Sequence, residues 1–440
     1  MVRFVRRTRT ILFISFILVI AGCIPSGNDK GEIGKDGDGM EKVTIRFMHL
    51  WPEGTSASQY RIVNQIINEY RAENPHVIIH TEVLENESYK NKLKVISTSN
   101  QLPDVGVTWS AGFMRPSVEG ELFTPLDDLL RGGLQDQFIA GVTEPYVFDE
   151  QTYALPLEFN VAPIYYNKEI FQRYHLTVPE TYEELLQIIQ TLNDNGIEPI
   201  ALGNMDRWTG SLWYMYLADR IAGQETLASA IRGETSFAEM DLLKAAGEVQ
   251  ALVEVEAFVR GFNGLSNEEA KTEFLNERTA MYLMGSWDLP NFTTNEDIPK
   301  EFRDKVGFFK FPTVEGGKGD RNSWVGGPGV GLFVAENSAV KEEAKRFVHY
   351  FIEKWGEEAV TGAGVIPATK VDTSTLELPQ LYIELFNEID RASSLTLFAD
   401  VQMETSDAEV HLNQIQALFG KAVSPKMFAD AHDMALSRKR

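Results

Sequence analysis

The sequence predicts an α/β fold of two lobes, each a mainly parallel sheet flanked by helices, followed by a helical C-terminal region. Three observations carry this. From residue 41 on, short apolar strands alternate with amphipathic helices. The alternation starts afresh near residue 162, and from about residue 338 helical patterns dominate. A chain of 440 residues is long enough for two or three domains with a large core.

The first stretch is expected to stand outside the fold. "MVRFVRRTRT" is basic, and "ILFISFILVIAG" is apolar but short for a membrane span of about 20 residues. A basic head, a short apolar run and small residues read as a secretory signal, residues 1–22. It ends in Ile20-Ala21-Gly22-Cys23, which resembles a bacterial lipobox, so Cys23 is expected to be lipidated and to anchor the chain outside the cytoplasmic membrane. Cys23 is also the only cysteine, so internal disulfides are not expected. Residues 23–41 are rich in Gly, Asp and Lys and read as a flexible tether. Its "DGDG" lacks the glutamate of an EF-hand loop, and no metal or cofactor is predicted.

Strands are expected at 43–51, 76–84 and 103–109, with helices between them closed by Pro75 and spanning 87–100. This β-α-β-α-β order implies parallel pairing under helices on both faces. The second series has a strand at 162–167 and a helix opened by Thr181 with Glu184 as a capping box, stopped at Gly196. Further strands are expected at 198–203, 278–285, 305–313 and 329–336.

In open α/β sheets ligands sit beyond the carboxyl ends of the strands. Five of the seven tryptophans fall at or past such ends: Trp51, Trp109, Trp208, Trp287 and, in the Gly-rich "NSWVGGPG", Trp324. Trp213 and Trp355 lie in helical patterns and read as core. An indole face suits the C–H face of a sugar ring, with large contact area at little entropy cost. Polar groups stand beside these tryptophans: Glu53, Asn86, Asp206, Arg207, Asp288 and, between the two series, Glu158. Carboxylates, amides and guanidinium bond vicinal hydroxyls in pairs. The glycines of "GGPGVG", Gly327 among them, lead into a strand and not a helix. They are read as allowing close backbone approach to ligand or hinge, not as a phosphate loop.

Several stretches then converge. "LPDV" (102–105), "YALPLEFNVAPIYYNKEIF" (153–171), "RTAMYLMGSWDLP" (278–290), "GVIPAT" (364–369) and the closing "GKAVSPKMFADA" together resemble family 1 of the extracellular solute-binding proteins of ABC transporters, the sugar-binding group. The resemblance implies a periplasmic-binding-protein type fold with crossings near Leu157, Thr313 and Thr369. The lobes would then be 42–157 with 314–368, and 158–313 with 369–440, around a sugar cleft. It makes Glu158, Trp109, Trp287 and the Asp206-Arg207-Trp208 loop ligand contacts. Phe398 or Asp400 stands where another contact is expected. It implies delivery of a sugar or oligosaccharide to membrane permease subunits; a monomer is expected by default, since no exposed apolar helix face suggests assembly.

The charge of −23 argues against nucleic acid or anionic lipid surfaces as partners. The alternative reading is a lipid-anchored glycosidase with Glu158 and Asp288 as its carboxylate pair; against it, the chain has no HExxH, GxSxG or metal-ligand cluster. A surface sugar sensor would share the same cleft.

Overall fold

The computed structural model describes residues 33–35 and 41–437. The expected leader, Cys23 and most of the tether lie outside the described residues. Ile33–Lys35, expected as tether, is a short strand paired antiparallel with Glu41–His49.

The first sheet forms as expected around Glu41–His49, which pairs in parallel with Val77–Val83 and with Val105–Trp109. The helices Ala57–Glu73 and Asn86–Thr98 make the two crossovers. Two further strands, Val330–Val334 and Leu155–Pro156, add antiparallel pairings. The first of the C-terminal helices, Lys341–Glu358, completes this core: Phe347 and Phe351 pack edge-on against Phe47, and Trp355 lies 5.3 Å from Trp51.

The second lobe has the expected mainly parallel sheet, with one strand reversed. Its four strands run in the order Glu198–Ala201, Thr279–Leu283, Ile164–Asn167, Val306–Phe309. Only the first pairing is parallel. Glu198–Ala201, Thr279–Leu283 and Val306–Phe309 all run the same way; Ile164–Asn167 is inserted between the last two and runs against them, so both pairings it makes are antiparallel. The helix Tyr182–Asp194 opens at Thr181 with the predicted capping box to Glu184, and Gly196 follows it at φ 72°.

Three chain segments cross side by side between the lobes. Leu157 N–H bonds Val330 O at 2.8 Å, Gly329 N–H bonds Glu158 O at 2.7 Å, and Phe159 N–H bonds Ile366 O at 2.9 Å. The first and third crossings fall close to Leu157 and Thr369. The second falls at Pro328–Val330 and not near Thr313. Residues 314–328 stay with the second lobe because Ser323–Pro328 is a buried strand between Phe159–Val161 and Ser394–Thr396, not a loop.

Candidate functional site

A cavity of about 360 Å³ opens where the two lobes face each other. The first lobe supplies Trp51, Gln59, Asn86, Glu87, Lys90 and Trp109. The second supplies Asp206, Trp208, Lys271, Trp287, Asp288, Asn291, Phe398 and Asp400. Glu158 and Gly329 reach it from the crossing strands. A pocket at a lobe interface, lined by aromatics with a few convergent polar groups, is the form small-ligand sites take.

The aromatic faces are set by local structure. Trp51 and Trp109 leave the ends of adjacent strands, so both indoles arrive at one edge of the sheet. Trp208 is the first residue of the helix Trp208–Ala222. Trp287 sits in a 3-10 turn, Ser286–Phe292, right after Thr279–Leu283 and its short loop. Its ring folds back over Gly285; a Cβ there would lie 2.2 Å from the indole, so only glycine fits. Trp208 and Trp287 meet edge to face at 5.8 Å, and Trp287 meets Phe398 in the same way at 5.7 Å.

The polar groups divide into those held and those free. Asp288 accepts from Lys271 Nζ at 3.4 Å, from Tyr282 OH at 3.0 Å and from Asn291 Nδ2 at 3.4 Å. Burial disfavours a charged Lys271, but Asp288 and Glu268 outweigh it and raise its pKa. Asp206 accepts from Asn267 N–H at 2.7 Å, and burial raises its carboxyl. Asp400 is raised for the same reason.

Glu158 is 3% exposed. One carboxyl oxygen accepts from Asn160 Nδ2 at 3.3 Å; the other, Oε1, has no protein partner. Burial lifts its pKa to about 7 against the opposing Asn160 bond. Trp208 Nε1 is likewise buried without a partner. Both atoms belong to residues of the cavity wall; other unpartnered buried atoms, such as Trp213 Nε1 and Trp324 Nε1, lie in the core.

Four predicted residues do not line the cavity. Glu53 is exposed in the turn after Trp51. The backbone of Arg207 has φ 67°, and its guanidinium bonds Glu409 at 3.2 Å and Asn413 at 2.9 Å. Trp324 is 1% exposed inside the strand Ser323–Pro328 and packs in the second-lobe core. Gly327 lies in the same strand at φ 149°, where a Cβ would strike Leu397. Both Phe398 and Asp400 line it. Gln59, Lys90, Asn160, Lys271 and Asn291 were not predicted. They sit on helices, turns and a crossing strand whose local sequence carries no signal beyond an ordinary polar position.

The acidic character of the wall is marked. Glu85, Glu87, Glu158, Asp206, Glu268, Asp288 and Asp400 face only Lys90 and Lys271. Each lysine is bonded to a neighbouring carboxylate, Glu87 at 3.3 Å and Glu268 at 2.9 Å.

Comparison with known proteins agrees with this geometry. The chain is 25% identical over 320 residues to the multiple sugar-binding protein of Streptococcus mutans, a match covering 70% of this chain and 71% of that one. A solved structure from work on xylan utilization by the thermophilic bacterium Caldanaerobius polysaccharolyticus superposes with a TM-score of 0.84 at 32% identity, covering 89% of this chain and 99% of the other. A chitin oligosaccharide binding protein shares the fold, with a TM-score of 0.83 at 22% identity over 90% and 98% of the two chains. Residues 54–355 match the family described as bacterial extracellular solute-binding protein, and the chain belongs to that family.

Proposed function

We propose that this protein captures a sugar, in particular a short oligosaccharide, outside the cytoplasm and hands it to the membrane subunits of an ABC importer. The observation that carries the reading is the cavity wall: the half-buried Trp109, Trp208 and Trp287 beside two unfilled buried polar atoms, Glu158 Oε1 and Trp208 Nε1. Indole faces cover ring C–H faces, and sugar hydroxyls both donate and accept, so one ligand type meets both needs. The names of the related proteins point the same way. A cavity of about 360 Å³ is at the small end of the range of ~300–1,000 Å³ for ligand sites, which favours few rings.

Capture works by closure. A ligand that contacts both lobes only when they meet favours the closed state by that difference in affinity. The protein acts as a binder and not as a glycosidase. Asp288 is committed to Lys271, Tyr282 and Asn291, so it is a poor second carboxylate for Glu158. Lipid at Cys23 would hold the monomer at the membrane surface beside its permease. Incorporation of labelled palmitate that Cys23→Ser abolishes tests that step.

The test of the main reading is a thermal-shift screen of the purified protein against mono- and oligosaccharides, with each hit analysed for cleavage. A ligand at 100 times its Kd adds about 2.7 kcal/mol. A raised midpoint with intact sugar supports the reading. Cleaved sugar makes Glu158 a catalytic acid, and no shift with any sugar overturns sugar capture.

A further inference from the structure

Lys90 is on the first-lobe helix Asn86–Thr98, but much of what its ammonium faces belongs to the second lobe. Its Nζ lies 5.0 Å from the Trp109 ring centre on its own lobe and 5.9 Å from that of Trp208 across the cleft. Asp206 and Asp400, both on the second lobe and both lining the cavity, feel its charge. Its partner on its own helix, Glu87, is at 3.3 Å and is 37% exposed, where an ion pair is worth little. The lobes also touch directly nearby. The helix Ala111–Glu119 packs on Ala399–Gln402, and a Cβ on Gly112 would lie 2.3 Å from Met403 O.

We propose that Lys90 is an interlobe latch: its ammonium is drawn between the Trp109 and Trp208 faces toward Asp206 and Asp400, and this attraction favours closure without any ligand. A cation desolvated between indole faces and unlike charges is attracted more strongly than one in water. In an open molecule the Trp208, Asp206 and Asp400 side of that attraction is absent. The latch thus adds to ligand affinity by populating the state that binds, and salt weakens it. The inference goes beyond sugar capture and does not depend on which ligand is taken.

The test needs no ligand. In a Cys23→Ala background, spin labels are placed at Val95→Cys and Met240→Cys, exposed positions on the two lobes, and their separations are measured by pulsed dipolar spectroscopy. We expect a closed population in the ligand-free chain that falls at least threefold in Lys90→Met and at 0.5 M NaCl, and that Lys90→Arg restores. Thermal unfolding of each variant confirms that it is folded. Distance distributions that coincide for the parent and Lys90→Met overturn the latch. Closed populations that are equal at low and high salt overturn its electrostatic basis. Sugar capture stands or falls separately on the thermal-shift screen.

Discussion

Gln59 in the first lobe donates its side-chain amide to the backbone carbonyl of Trp287 in the second, at 3.1 Å. The bond ties the helix that follows the first strand to the turn that presents a central indole. It exists only when the lobes meet, so it stabilises the closed state and not the separate lobes. A hydrogen bond of this kind is worth about 0.5–1.5 kcal/mol net. Gln59→Ala is therefore expected to weaken ligand binding about three- to tenfold by calorimetry, while the ligand-free unfolding midpoint barely moves. A large loss of midpoint with unchanged affinity would make Gln59 a folding residue.

Two tryptophans that look alike in the sequence separate in the structure. Trp287 is half-buried on the cavity wall, and Trp324 is buried in a strand behind it. Trp287→Ala is expected to cost at least tenfold in sugar affinity, about 1.4 kcal/mol. Trp324→Ala removes a fully packed indole and is expected to destabilise the fold by about 3–5 kcal/mol. Trp324 Nε1 has no partner, so Trp324→Phe should recover most of that loss. Chemical denaturation and calorimetry on the three variants separate the two roles.

What the sequence makes legible follows from locality. Strand and helix periodicity, the capping box at Thr181–Glu184 and tryptophans delivered by strand ends are all short-range patterns, and each appears in the structure. The misplaced residues share a different origin. Glycine and proline read as a loop around Trp324, yet here they let crossing strands touch: a Cβ on Gly326 would lie 2.3 Å from Asn160 O. Arg207 stands beside Trp208 in sequence, but Glu409 and Asn413, some 200 residues on, decide where its guanidinium goes. Lys90 and Gln59 reach partners on the other lobe, Trp208 and Trp287, which no local pattern announces. The second crossing is misjudged for the same reason, since Ser323–Pro328 is a strand by virtue of its neighbours.

Glu158 gives a prediction with a defined sign. Its pKa is raised by burial from the usual 4.5 to about 7. A raised folded value stabilises the fold fully below the unfolded pKa, and that contribution is lost as pH rises through the folded one. At about 1.4 kcal/mol per unit the loss is on the order of 3 kcal/mol between pH 4.5 and 7 and above. Glu158→Gln is neutral throughout, so its stability should lack this decline. The difference in unfolding free energy between variant and parent, measured in urea at pH 5 and pH 8, should grow toward pH 8. An equal difference at both pH values would show that Glu158 is ionised throughout.

A buried relay behind the cavity wall predicts the opposite pH sign. Ser211 Oγ lies 2.7 Å from His411 Nε2, His411 Nδ1 lies 2.9 Å from His432 Nε2, and His432 Nδ1 lies 2.7 Å from Phe428 O. The carbonyl only accepts, so in the neutral relay His432 donates from Nδ1 and accepts at Nε2. His411 then donates from Nδ1 and accepts from Ser211 O–H. Every proton has one place, and a further proton would break the chain. Burial lowers the pKa of His432 to about 4 and, with His432 beside it, puts His411 well below its usual value of 6.5. A lowered folded value contributes stability above the unfolded pKa that is lost as pH falls toward the folded one. Between pH 6.5 and about 4 the parent should therefore lose on the order of 3 kcal/mol through His432 alone. His432→Asn keeps a donor and an acceptor but cannot titrate. It should be less stable at pH 8 by about 1–3 kcal/mol, because its bonds are imperfect. It should also lose less on acidification, so the two stability curves converge near pH 5. Curves that fall in parallel from pH 8 to pH 4.5 would mean that protonation of the relay does not drive the acid loss.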